Sequence, residues 1–289
     1  MPLDQEPLQE KEMSFLEHLE ELRWHVIRSL VAVMVFTIGA FIAAPWIFQH
    51  VIFAPARVDF PTFRWLCNLG HFFGSGDSLC VKEIPFKVQS RYMTGQFSMH
   101  IVSSFVMGLI VAFPYICWEL WRFIRPGLYP REKSSSRGAV AAISFLFLTG
   151  VLFGYYIMSP IMISFLANYQ ISDMISNEFD ITSYVGTVVG VVIGCGVLFQ
   201  LPIVMFFLTK IGIVTPKFLR QYRKHAIVII LVIGAIVTPT ADPLSQSLIS
   251  IPLYILYEIS ILISASVKRS KERMEAEELR KEQQEKQSS

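Results

Sequence analysis

The sequence predicts an all-α integral membrane protein of six transmembrane helices, the fifth and sixth short, with both termini in the cytosol. Three observations carry this. Apolar residues make up 53% of the 289 residues and charged ones 17%, with a mean hydropathy of +0.49, far from the soluble average. Six apolar runs stand at about 24–49, 96–122, 139–160, 184–212, 226–238 and 244–266, most reaching the roughly 20 residues that a helix needs to cross a bilayer. The basic residues are grouped in alternate connections, which sets direction under the positive-inside rule. A formal net charge of +2, with no continuous basic patch, excludes a nucleic-acid binder.

Residues 1–13 form a polar N-terminal tail with no cleavable signal, so the first apolar run is expected to stay in the mature protein. The six-helix membrane domain spans 14–267 and opens with an amphipathic stretch at 14–23. There Ser14 and Glu17 fit a capping box and Phe15, Leu19 and Leu22 share a face, which places this helix along the membrane surface. After the first run comes an external cap, 50–94, holding Pro55, Pro61, Pro85, Gly70, Gly74 and Gly76, read as an ordered segment with short helical pieces. Its five basic residues run against the positive-inside rule, but a connection of about 45 residues weakens that rule. Cys67 and Cys80 fall in this cap and could close a disulfide loop of about 14 residues.

The next connection, 122–137, carries Arg122, Arg125, Arg131, Lys133 and Arg137; that at 210–224 carries Lys210, Lys217, Arg220, Arg223 and Lys224. Segments 161–183 and 239–243 contain no Lys or Arg. The basic connections are therefore cytosolic, and parity puts both ends there. The fifth run has only about 13 uncharged residues after His225, a rise of roughly 20 Å against a hydrocarbon core of about 30 Å; it tilts little or thins the bilayer locally. Residues 268–289 are a charged cytosolic tail without an apolar stripe.

Chemistry in the apolar runs is sparse. Besides Glu119 near a cytosolic end, the notable polar groups are Gln96, His100, Gln200, Gln246 and Glu258. Proton-relay chains, zinc helices and nucleophile turns are missing, so an intramembrane enzyme is not supported. The four cysteines lack metal-ligand spacing, and neither a metal nor a cofactor is expected; Cys117 and Cys195 read as small buried hydrophobes. What stands out is acidic residues at cytosolic helix ends: Glu17, Glu20 and Glu21 before the first span, Glu132 after the second.

Five stretches, in order along the chain, together resemble TatC, the multispanning signal-receptor subunit of the twin-arginine protein translocase. They are His18-Leu19-Glu20-Glu21-Leu22-Arg23; Ala54-Pro55; Phe123 to Glu132 (FIRPGLYPRE); Thr238 to Gln246 (TPTADPLSQ); and Ile251-Pro252-Leu253-Tyr254 with Tyr257-Glu258. The resemblance implies a cupped arrangement of six helices in the bacterial cytoplasmic (inner) membrane. It implies a receptor that binds paired arginines of signal peptides on the cytosolic face and helps export folded proteins with the proton motive force. Implied partners are single-span TatA/TatB-type subunits, twin-arginine signal peptides, other copies of the chain and membrane lipid.

By position in those motifs, the signal-binding carboxylates fall on Glu21 and Glu132. A guanidinium fork meets a carboxylate bidentately where a lysine ammonium does not. Phe123, Pro126, Leu128 and Tyr129 join that site, although Pro126-Gly127 also makes the turn between two helices. Arg23 either orients the carboxylates or meets lipid phosphate. Pro55 and Asp242 match external positions important for transport, Asp242 also fitting an N-cap. Thr238 and Gln246 sit where the family docks its single-span partners. Gln200 stands where many relatives carry glutamate, so it offers hydrogen bonds but no charge. The rival class is a small-solute secondary transporter, which requires Gln200, Gln246 and Glu258 to converge on one midplane site.

Overall fold

Long apolar runs with few internal breakers leave the backbone no partner but itself, and here they form helices. A computed structural model describes residues 15–72, 74, 80–81, 84–124, 136–172, 177–237 and 243–288. In chain order its elements are α1 (Phe15–Ile42), α2 (Ala44–Ile47), a π-helical turn (Phe48–Ile52), a 3-10 turn (Ala54–Ala56), α3 (Pro61–Phe72), β1 (Lys87–Gln89), α4 (Gly95–Ile124) and α5 (Ser136–Phe153). A π-helical turn (Gly154–Met158) follows, then α6 (Ser159–Asn168), β2 (Glu178–Asp180), α7 (Ile181–Leu198), α8 (Leu201–Ile211), α9 (Pro216–Gln221), α10 (Arg223–Val237) and α11 (Pro243–Ser288).

Five helical segments are long and apolar enough to cross a membrane: Leu19–Ile42, Gly95–Ile124, Gly138–Asn168, Ile181–Ile211 and Gln246–Ser270. At 15 residues, α10 is short. The last helix was also expected to be short, and it is not: α11 runs 46 residues. Its apolar part joins the charged tail without a Gly or Pro stop, so the helix continues through Lys268 and beyond. Likewise α1 has no breaker near Arg23, and the amphipathic stretch is continuous with the first apolar run.

At two breaks in the long segments a proline frees a carbonyl, and a side chain from another element takes it up. Pro45 has no N–H for the carbonyl of Phe41; α1 ends at Ile42, and His100 Nε2 of α4 donates to Phe41 O at 3.0 Å while its ring stacks on Phe41 at 3.9 Å. Pro160 likewise releases the carbonyl of Tyr156. The π-helical turn lies just before it, and the hydroxyl of Thr62, from α3, donates to Tyr156 O. Pro202 follows the kink between α7 and α8, where Gln200 sits.

Glycines set the close crossings. A Cβ on Gly108 of α4 would meet the backbone nitrogen of Thr37 at 2.6 Å. Together with Phe41–His100 at one end and His25–Glu119 at the other, this fixes α1 and α4 as an antiparallel pair. At Gly150 a Cβ would meet Cys195 O at 2.6 Å, holding α5 against α7. The principal buried cluster lies where Met158, Met162, Val191 and Cys195 meet Leu219, Ile230, Ile249, Leu253 and Ile261 of the last helices. Met158 and Met162 fill it without exposed surface, a role suited to flexible thioether side chains.

At one end of the bundle the connections form a cap. The β1 and β2 strands pair in parallel, Lys87 opposite Glu178 and Gln89 opposite Asp180. Asp180 then caps α7, accepting from the Thr182 hydroxyl, from Thr182 N at 2.8 Å and from Arg91 N at 2.8 Å. The Thr182 hydroxyl first, then these two N–H groups, hold its carboxyl below the usual carboxylate range. Tyr155 Oη donates to Val51 O and Tyr184 Oη to Ile52 O, each at 2.9 Å. Cys67 and Cys80 are joined by a disulfide, Cα atoms 4.4 Å apart.

Candidate functional site

The opposite end carries Glu20 and Glu21, two of the acidic residues singled out above. Glu21 and His25 lie four residues apart on α1 and so share a face; Tyr115 and Glu119 do the same on α4. The antiparallel seam brings the two pairs together. His25 Nδ1 lies 2.5 Å from Glu119 Oε2, Tyr115 Oη donates to Glu119 Oε1 at 2.8 Å, and His25 Nε2 lies 3.9 Å from Glu21 Oε1. His25 is 5% exposed and Glu119 3%, whereas the Glu21 side chain keeps 35% of its surface. Phe123, half-buried, meets the His25 ring edge-on at 6.1 Å. A depression of about 320 Å³ adjoins Tyr115, lined by Trp24, Ile27, Arg28, Val31 and Ala32 as well.

Chemically, this is an exposed carboxylate backed by a buried base and a second, buried carboxylate. Nδ1 is within hydrogen-bond distance of a Glu119 oxygen, and Nε2 faces Glu21 from beyond it. The site can bind a cation at Glu21, and its described residues include no metal-ligand set. Among the described residues the one metal-ligating cluster, Cys67, His71 and Cys80, lies in the cap. Its two sulfurs are bonded to each other, so no thiolate is available there, and His71 Nε2 stands 3.9 Å from Cys80 Sγ.

The remaining predicted positions are dispersed. Arg23 is exposed and, two residues from Glu21, points away from the Glu21 face. Pro126, Leu128, Tyr129, Glu132, Thr238 and Asp242 lie outside the described residues. Pro55 is buried in the 3-10 turn of the cap. Gln200 Nε2 donates to Ile143 O of α5 at 3.1 Å, Gln246 Nε2 donates to Leu231 O of α10, and Glu258 accepts from Arg223 at 2.7 Å. These last three each meet a different neighbour and do not converge, which removes the basis of the solute-transporter alternative.

Sequence reasoning passed over His25 and gave Glu119 no role. The signal was available: His25 follows Glu21 by four residues, and Glu119 is a carboxylate inside an apolar run. His71 was passed over in the same way, four residues after Cys67.

The sequence matches the family described as "Sec-independent protein translocase protein (TatC)" over residues 17–252. It is 39% identical to the Sec-independent protein translocase protein TatC of Blattabacterium sp. subsp. Periplaneta americana, across 91% of this chain and 99% of that protein. With the Sec-independent protein translocase protein TatCy of Bacillus subtilis it shares 33% identity across 92% and 94%. The fold is similar to a crystal structure of a twin arginine translocase receptor, TatC, with a TM-score of 0.66 and 31% identity, covering 87% of this chain and all of that one. A second crystal structure of that receptor, in DDM, gives 0.67 and 32%.

Proposed function

Because the chain belongs to the TatC family, as a component of the Sec-independent twin-arginine translocase and a multi-pass membrane protein, we propose that it is the receptor that binds paired signal-peptide arginines at Glu21 and Glu132. The family is one of protein translocase components rather than known enzymes. The observation that carries the reading is the placement of Glu21: half-exposed, on α1, beside the end of α4 from which the chain enters the segment holding Glu132. Two carboxylates contributed by helix ends far apart in sequence can tell two adjacent arginines from scattered basic charge. Phe123, Pro126, Leu128 and Tyr129 would shape the same surface. Supporting it, a similar solved structure is described as a translocase receptor.

In this reading the basic connections and both termini face the cytosol, α10 completes a sixth crossing, and the membrane is the bacterial inner membrane. The cap and its buried Pro55, with Asp242, face outward. Single-span TatA/TatB-type subunits dock near Thr238 and Gln246, further copies of the chain assemble with it, and the proton motive force drives export of the folded cargo.

Binding of a synthetic Arg-Arg signal peptide, against its Lys-Lys counterpart, to the detergent-solubilised protein tests this. Selective Arg-Arg binding that is lost in Glu21→Ala/Glu132→Ala supports the receptor reading. Equal binding of the two peptides, or undiminished binding in the variant, overturns it.

A further inference from the structure

We propose that His25 and Glu119 are positioning residues for Glu21: the buried Glu119 holds His25 in place and keeps it from pairing with the carboxylate that receives the arginine. The inference rests on the receptor reading above. Its geometry is asymmetric. His25 is in hydrogen-bond contact with Glu119, at 2.5 Å, and stops short of Glu21, at 3.9 Å. Tyr115 Oη, donating to the other oxygen of Glu119 at 2.8 Å, fixes that carboxylate from the far side, and Phe123 closes over the imidazole edge. Arg28 places a positive charge near Glu119.

With an imidazole nitrogen engaged by Glu119, His25 leaves the half-exposed Glu21 carboxylate at 3.9 Å. An arriving guanidinium neutralises it and can use both carboxylate oxygens. With a neutral amide in place of Glu119, the imidazole loses its anionic partner there, and the next carboxylate within reach is Glu21, about an ångström short of contact. Glu21 would then be paired from within, and an incoming arginine would have to displace His25. Glu119 is thus a device for keeping a receptor carboxylate free in the presence of a nearby base.

The experiment measures binding of the Arg-Arg signal peptide to the full-length detergent-solubilised protein, with a thermal melt of each variant. Glu119→Gln is isosteric and is expected to weaken binding on the order of tenfold, about one charge-assisted hydrogen bond. Adding His25→Gln to Glu119→Gln removes the competing imidazole and leaves two amides able to bond each other; binding is expected to return to within about threefold of wild type. A residue acting only through packing would not be rescued by the second substitution. Wild-type binding in Glu119→Gln, or a double variant as weak as the single, overturns the proposal. Should Glu119→Gln fail to fold, a tenfold loss in the folded double variant overturns it and binding within threefold supports it. Glu21→Gln separates the two readings: if it binds like wild type, the receptor site itself is wrong, whereas loss there without rescue in the double variant sinks only this inference.

Discussion

At the capped end of the bundle, strand pairing, a helix cap and a disulfide fasten the connections, whereas at the basic end buried and exposed side-chain pairs tie helix to helix. The cap is held by the β1–β2 pairing, the Asp180 hydrogen bonds and the Cys67–Cys80 disulfide. At the other end His25–Glu119 joins α1 to α4, and Arg223–Glu258 joins α10 to α11. Backbone and covalent links hold shape without offering charge to a ligand. Carboxylates hold shape and remain able to exchange partners, which is what a surface that must bind and release a cationic segment requires.

The contrast predicts that the largest single loss comes from the buried His25–Glu119 pair. Glu119→Leu leaves His25 facing an apolar side chain, and removal of one member of a buried pair costs about 3–5 kcal/mol. Thermal unfolding in detergent should show it, and a shift under about 1 kcal/mol would mean that the pair is solvated in use. Next comes the disulfide. Its residues are 13 apart in sequence, and a loop of that size stabilises by about 3 kcal/mol, mainly through the unfolded chain. Cys67→Ser/Cys80→Ser should lower the unfolding midpoint accordingly. If the midpoint stays put while protease nicking of the cap rises, the cap opens independently of the bundle.

Asp180 tests the cap by pH. Its folded pKa is depressed, so its contribution is present above the unfolded value of about 4 and is lost as acid carries the medium through that value and below. Wild type should therefore lose stability relative to Asp180→Asn as pH falls from about 5 toward 3, while Asp180→Asn is the weaker protein at neutral pH. Parallel pH curves for the two would remove Asp180 from the cap's fastenings.

Much of this architecture is legible in the residues, and the illegible parts have physical reasons. Apolar run length marks the helices, and the brevity of α10 follows from His225 and the sequence that ends at Val237. The length of α11 does not, because hydropathy marks where lipid ends and says nothing of where helix ends; Lys, Glu and Gln are good helix formers. Prolines 45 and 160 announce breaks, but which side chain answers the freed carbonyl depends on packing between elements 59 and 94 residues apart. Glu21 is visible through its motif. Its neighbours His25 and Glu119 belong together only once α1 and α4 are antiparallel in the Gly108 register.

The smallest expected effect sharpens the comparison within the basic end itself. Arg223–Glu258 is as short as many strong pairs, 2.7 Å, and Tyr254 Oη also reaches Glu258 at 3.2 Å. Yet its side chains keep 46% and 33% of their surface, so water competes for both charges, and such pairs contribute about 0–1 kcal/mol. Arg223→Met should therefore move the melt little, by less than about 1 kcal/mol, and less again at high salt. Tyr257 Oη, which donates to Leu219 O at 2.8 Å from a buried position, would still fasten α9 to α11. A loss for Arg223→Met comparable to that for Glu119→Leu would mean that exposure does not separate the two ion pairs, and that α10 is held chiefly by charge.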